Sequence, residues 1–159
     1  MTKFLLSVHV LAAILAVGSI TVAASMFPRY ALRALGGDGE PVDDRAPGIA
    51  ALLHRVCRAY AVAGLAVPVF GIATAAQLGV LADAWLIASL LLTTIAAALL
   101  ALVILPGQRG LLDRADPSAP ADGARRAAAR LAMLTGIFNV LWATVTVLMI
   151  VRPGSTTGA

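Results

Sequence analysis

Residues 60–81 read YAVAGLAVPVFGIATAAQLGVL and contain no charged side chain. An α-helix needs about 20 apolar residues to cross a lipid bilayer, so this stretch predicts a transmembrane helix. Small residues and one proline recur at spacings of three and four, which places them on one helical face: Gly64, Pro68, Gly71, Ala75 and Gly79. Because small residues let two backbones approach closely in lipid, this face is predicted to pack against another helix. Val80 lies off the face and is predicted to face lipid.

Three further apolar runs accompany this one, at residues 4–27, 85–105 and 131–151. The chain is 60% hydrophobic and 13% charged, whereas roughly a quarter of the residues in globular proteins are charged. The sequence therefore predicts an all-α fold, a four-helix transmembrane bundle that forms a single membrane domain over residues 1–159. The first run, preceded by Lys3, resembles a signal peptide in outline, but its length of about 24 residues favours a membrane span.

The charges predict how the bundle is oriented. Two long polar connections, residues 28–59 and 106–130, contain ten of the 12 Lys and Arg residues. Because Lys and Arg accumulate in cytoplasmic loops, we expect both connections in the cytoplasm, with both termini and the turn at Asp83 outside a plasma membrane. The net charge of +4 then reflects topology and contact with anionic lipids at the cytoplasmic face, and we expect no nucleic-acid partner.

Prolines predict where several helices begin and end. Gly36-Gly37 is a natural stop for the first helix after it leaves the membrane near Pro28, and Pro106 is expected to end the third helix, because proline cannot continue the helical hydrogen-bond pattern. Pro47 is expected to open the second helix, since proline is favoured at the first helical position. That helix is expected to run about 34 residues to Leu81 and to project beyond the lipid, with Pro68 as the one position that could kink or break it. Residues 38–44 are expected to form an acidic loop.

His9 is the sharpest candidate for chemistry, because an ionisable side chain inside a span indicates function by default. It is a candidate ligand for haem or copper, or a proton relay. The alternative is a neutral histidine that is hydrogen-bonded to a neighbouring helix. We favour this alternative, because paired ligation of haem needs a second histidine at the same depth. His54 is expected about 25 Å or more away along the membrane normal.

The remaining polar residues predict contacts rather than catalysis. Asn139 and Gly136 share a face of the fourth helix and are expected to contact other helices or a partner subunit. Cys57 is the single cysteine, so a disulfide within the chain is excluded. The sequence contains no phosphate-binding loop, zinc motif or nucleophile–base motif. We therefore expect no enzymatic activity, no catalytic residue, no metal and no cofactor.

Part of the sequence resembles known families. Phe4, Leu5 and Leu6, followed by His9-Val10 and Ala12-Ala13, resemble the first helix of an uncharacterised family of small four-span bacterial proteins, which is grouped with copper-resistance membrane domains. The alanine- and arginine-rich composition is actinobacterial in style. The layout is similar to the LucB family, the four-span accessory subunits of mycobacterial Mce-type lipid importers.

The resemblance to those accessory subunits implies a function in lipid transport. It implies a non-catalytic, stabilising subunit of a larger plasma-membrane complex, in contact with other membrane protein subunits. Two alternatives remain from the sequence: a redox, haem-handling or copper-handling membrane protein that uses His9, and a small transporter.

Overall fold

The computed structural model describes residues 1–36, 43–114 and 121–154, and these residues form helices and no strand. The helices are α1 (Thr2–Ala34), α2 (Ala46–Ala63), α3 (Ala66–Leu78), α4 (Ala84–Leu99), α5 (Leu105–Leu112) and α6 (Ala121–Val151), with a π-helical turn at Leu100–Ile104. Four stretches are long and apolar enough to cross a bilayer: α1, α2 with α3, α4 with α5, and α6. The predicted all-α fold with four spans is confirmed. The predicted acidic loop lies partly outside the described residues.

The two ends of the bundle differ in the connections they carry. At one end Thr2 Oγ1 donates to Gln77 Oε1 at 3.2 Å, and the Arg152 guanidinium lies 5.7 Å from the centre of the Trp85 ring. These contacts join the start of α1 and the residue after α6 to α3 and α4 close to the short turn between them, and we call this the terminal end. The opposite end, where α1 and α5 end and α2 and α6 begin, is the long-loop end.

Helices continue through two prolines, of which Pro106 was predicted to end the third span. Helix α1 passes through the buried Pro28 to Ala34, and Pro106 is the second residue of α5. The prediction was wrong because a backbone in lipid finds no water to replace its helical hydrogen bonds, which favours continuing the helix. The π-helical turn immediately before Pro106 widens the hydrogen-bond pattern where the proline cannot donate.

The second span is interrupted just before Pro68, the one position at which the predicted helix over residues 47–81 was expected to kink or break. Helix α2 ends at Gly64 and α3 begins after Leu65. Pro68 has no N–H to donate to the carbonyl of Gly64, and that carbonyl accepts from the Val67 N–H at 3.0 Å instead. This tighter bond is the local response to Pro68 and separates α2 from α3.

The tightest packing lies in the main core, which joins all four spans. Phe27, Ile104 and Phe138 are no more than 1% exposed and belong to one cluster. A smaller cluster of Ala75, Val80, Trp85 and Leu86 closes the terminal end. Apolar packing therefore holds the bundle together both in the main core and at the terminal end.

Val80 is buried, and the prediction that it faces lipid was wrong. Its exposed fraction is 7%. Gly79 takes a left-handed conformation with φ of 71°, and the Val80 N–H donates to the Ala75 carbonyl at 3.2 Å. This is a Schellman ending, in which the second residue past the helix folds back against the last turn. Helical periodicity stops at Gly79 and does not describe where Val80 points.

The orientation of the bundle can be tested by cysteine labelling in a Cys57→Ser background. We expect Ala82→Cys, in the exposed turn beside Asp83, to react with a membrane-impermeant maleimide in intact cells. Asp44→Cys, exposed at the long-loop end, is expected to react only after permeabilisation, because arginine-rich connections stay in the cytoplasm. The reverse pattern would show that the charge bias misplaces the two ends.

Candidate functional site

His9 is fixed to the neighbouring helix by a hydrogen bond to the backbone. Its Nδ1 lies 2.8 Å from the carbonyl oxygen of Val67 on α3. A carbonyl only accepts, so Nδ1 carries the proton, and in the neutral ring Nε2 carries the lone pair. The interhelical hydrogen bond favoured from the sequence is therefore present.

Gly71 provides the space that this imidazole occupies. A Cβ atom added at Gly71 would lie 2.9 Å from His9 Cε1 and 3.1 Å from His9 Nδ1. Real Cβ atoms essentially never approach as closely as the first of these distances, so any larger residue at this position displaces the ring. The structure thus joins two residues that were predicted separately, one as a ligand candidate and the other as a packing residue.

A cavity of about 630 Å³ opens beside His9 between α1, α3, α4 and α6. Its walls are mostly apolar, and small residues widen it: apart from the neighbouring residues and backbone of its own helix, no described atom lies within 4 Å of a Cβ added at Gly18. A second space of about 60 Å³ adjoins it towards the middle of the bundle and shares Val67, Pro68 and Trp142 with it. The His9 cavity, as we call the larger one, is within the range of small-molecule sites, about 300–1,000 Å³.

Few polar groups line the His9 cavity, and they include the side chains of Trp142 and Arg152. Trp142 packs edge-on against Phe138, and its buried Nε1 has no hydrogen-bond partner among the described residues. Arg152 lines the cavity at the terminal end. The cavity therefore combines an apolar interior with a positive charge at its outer edge.

The other predicted contact residues lie in three different settings. Gly64 faces α1, where an added Cβ would lie 3.7 Å from the Cβ of Ala16, and Ala75 is 4% exposed. Gly79 is the helix-ending residue described above, with no described atom within 4 Å of an added Cβ. Gly136 faces outward in equally open space, while the Oδ1 atom of Asn139 is buried without a hydrogen-bond partner among the described residues.

A buried polar cluster at Gln108 was missed by the sequence analysis. Gln108 is 1% exposed, its Oε1 accepts from His54 Nδ1 at 3.0 Å, and its Nε2 donates to Cys57 Sγ at 3.7 Å. The signal was a glutamine two residues after Pro106, which was assigned to a loop. Once α5 continues through Pro106, Gln108 points into the bundle and ties α5 to α2.

The described residues hold no group of three His, Cys, Asp or Glu side chains that is suited to a metal ion. The two histidines bond to different helices, His9 to α3 and His54 to α5. They do not face a common site. A cofactor held by two histidines of one chain is therefore inconsistent with this arrangement.

Comparison with known proteins gives no relative. No family model matches the sequence, and neither a curated protein nor a solved structure is significantly similar to it. The likeness in layout to accessory subunits of lipid importers therefore stays a prediction.

Proposed function

We propose that this chain is a non-catalytic subunit of a larger plasma-membrane assembly and that it holds the apolar chain of a lipid in the His9 cavity. The observation that carries the proposal is the cavity itself, about 630 Å³ of mostly apolar space between four helices. An apolar chain filling it would remove the lining side chains from contact with bulk lipid or water. A role in lipid handling follows from this ligand.

The few polar groups favour one direction for the bound lipid. Arg152, stacked on Trp85 at 5.7 Å, offers a positive charge at the terminal end for a carboxylate or phosphate head group. We infer a lipid with its head group at Arg152 and its chain running inward past His9.

A partner subunit would dock on the outward face of α6. Ala132, Gly136 and Ala143 are all exposed there, and small residues allow a second helix to approach closely in lipid. This face is separate from the helix contacts of the bundle. It supports the accessory role that the layout of the sequence suggests.

Native mass spectrometry of protein extracted gently from its membranes tests the bound lipid. Wild-type protein is expected to carry additional mass in the lipid range. Gly18→Leu adds a side chain to open space in the cavity wall and is expected to lose that mass. Gly136→Leu is the matched control, because the same replacement at an equally open position faces away from the cavity.

Two outcomes would contradict the proposal. The wild-type protein carrying no lipid would remove its basis, and equal lipid in Gly18→Leu and Gly136→Leu would place the lipid elsewhere. The same preparations test the partner face: Gly136→Leu is expected to release a co-purifying subunit that Gly18→Leu retains. A chain that always migrates alone would end the accessory role.

A haem-handling protein is the second candidate, and the hydrogen bond of His9 favours it. Histidines that ligate metals usually donate their other ring N–H to a carbonyl or carboxylate, and His9 Nδ1 does this at Val67. An absorption spectrum of the same preparation separates the candidates. A Soret band that disappears in His9→Ala would favour haem, whereas bound lipid without such a band favours the first proposal.

A further inference from the structure

A second cavity, of about 430 Å³, lies between α5 and α6 at the long-loop end. Three arginines line it, Arg114 just after α5, and Arg126 and Arg130 on α6. All three side chains are exposed, and none forms an ion pair with a described residue. Three cations gathered around one groove repel one another, and a bound anion would relieve that repulsion.

Arg114 reaches across the groove to the first turn of α6. Its Nη1 lies 3.5 Å from the position of a Cβ added at Gly123. The nearby carboxylate of Asp113 is 3.8 Å from Arg109 and is thus paired away from the groove. The Arg114 guanidinium therefore lies beside the helix that carries Arg126 and Arg130.

The rest of the groove is apolar and leads along the membrane-spanning part of the bundle. Leu102, on the π-helical turn, is 75% exposed, and Val103, Leu131 and Leu134 complete the floor. Gly107 lets α5 approach α6, since a Cβ there would lie 2.9 Å from Leu131 Cδ2. Gly110 keeps the groove open, with no described atom within 4 Å of an added Cβ.

We propose that this groove binds an anionic phospholipid. The phosphate lies among Arg114, Arg126 and Arg130, whose guanidinium groups suit paired hydrogen bonds to phosphate oxygens. One acyl chain follows the apolar floor past Leu102 and Leu134. A free phosphate ion would use the arginines and leave this floor uncovered, whereas a phospholipid matches both halves of the groove. Basic pockets between transmembrane helices are known to bind such head groups. The site lies at the opposite end from the His9 cavity and does not depend on the function proposed above.

Thermal unfolding of the full-length protein in mixed micelles tests this site. Phosphatidylglycerol is expected to raise the unfolding midpoint above that in phosphatidylcholine with the same acyl chains. Arg126→Gln with Arg130→Gln is expected to lose at least half of that increase. Arg55→Gln with Arg58→Gln is the matched control, because it removes two exposed charges from α2 outside the groove and is expected to keep the increase.

Gly110→Leu distinguishes binding of a whole phospholipid from binding of its phosphate group alone. It retains every arginine, fills the floor of the groove and is also expected to lose at least half of the increase. Several results would overturn the proposal: no increase in the wild-type protein, equal losses in the two arginine pairs, a full increase in Gly110→Leu, or an equal increase produced by inorganic phosphate. The last would identify an ion site rather than a lipid site.

Discussion

Gly71→Leu is expected to lower the free energy of unfolding by about 2–5 kcal/mol. The first atom of the new side chain would lie 2.9 Å from His9 Cε1, so the imidazole must move. Overpacking costs about 1–3 kcal/mol, and the lost hydrogen bond between His9 and Val67 adds about 0.6–2 kcal/mol, the range for polar contacts between membrane helices. Denaturation of the purified protein in micelles measures the change.

Gly136→Leu is the control for this prediction. It makes the same replacement in the interior of a long helix, but no described atom lies within 4 Å of the added Cβ. We expect its free energy of unfolding to equal or slightly exceed that of the wild-type protein, because leucine favours helix more than glycine does. A similar loss in both variants would show that the Gly71 effect is not a packing effect.

A double-mutant cycle assigns the Gly71 effect to His9. Gly71→Ala alone already places a Cβ against the ring and is expected to destabilise the bundle. In a His9→Ala background the same change meets an empty space and is expected to cost little. A coupling energy near zero would contradict the contact, since residues that touch are not additive.

The four spans were predictable from the sequence because hydropathy averages over about 20 residues and tolerates local errors. Which way each helical face points was not predictable. The faces of Gly71 and of Gly136 have the same small-residue spacing, yet the first meets His9 and the second faces outward. Lipid is as apolar as the interior of the bundle, so hydropathy does not distinguish an inward face from an outward one.

Glycine and proline were the residues most often misinterpreted. Gly79 has the spacing of a packing residue but ends α3 in a left-handed conformation, and sequence spacing does not separate these two roles. Proline is an ordinary signal for a helix end, so Pro106 was predicted to end the third helix. That prediction placed Gln108 in a loop, and its burial was therefore missed. Part of the candidate site was therefore predictable: His9 and Gly71 were identified as candidate residues from the sequence. Their contact and the Gln108 cluster were not predictable, because both depend on how the helices pack against one another.

Gln108→Ala is expected to destabilise the bundle by about 2–4 kcal/mol, because it combines a cavity with an unsatisfied donor. The amide is 1% exposed, and its loss leaves His54 Nδ1 without the acceptor now 3.0 Å away. Denaturation in micelles gives the size of the loss. Gln77→Ala is the matched control, since Gln77 is exposed and, among the described residues, its side-chain hydrogen bond is to Thr2 at the terminal end.

Two further variants separate the polar part of this effect from the packing part. Gln108→Met keeps most of the side-chain volume, so no cavity forms. Its destabilisation is expected to come only from the lost hydrogen bonds and to amount to about 1–3 kcal/mol. Adding His54→Leu removes the orphaned donor as well, and replacing both partners by apolar groups is expected to restore part of that loss. The Cys57 thiol, 0% exposed in the wild-type protein, is expected to react faster with a small maleimide in Gln108→Ala than in Gln77→Ala. Unchanged stability together with unchanged thiol reactivity would mean that Gln108 does not tie α5 to α2.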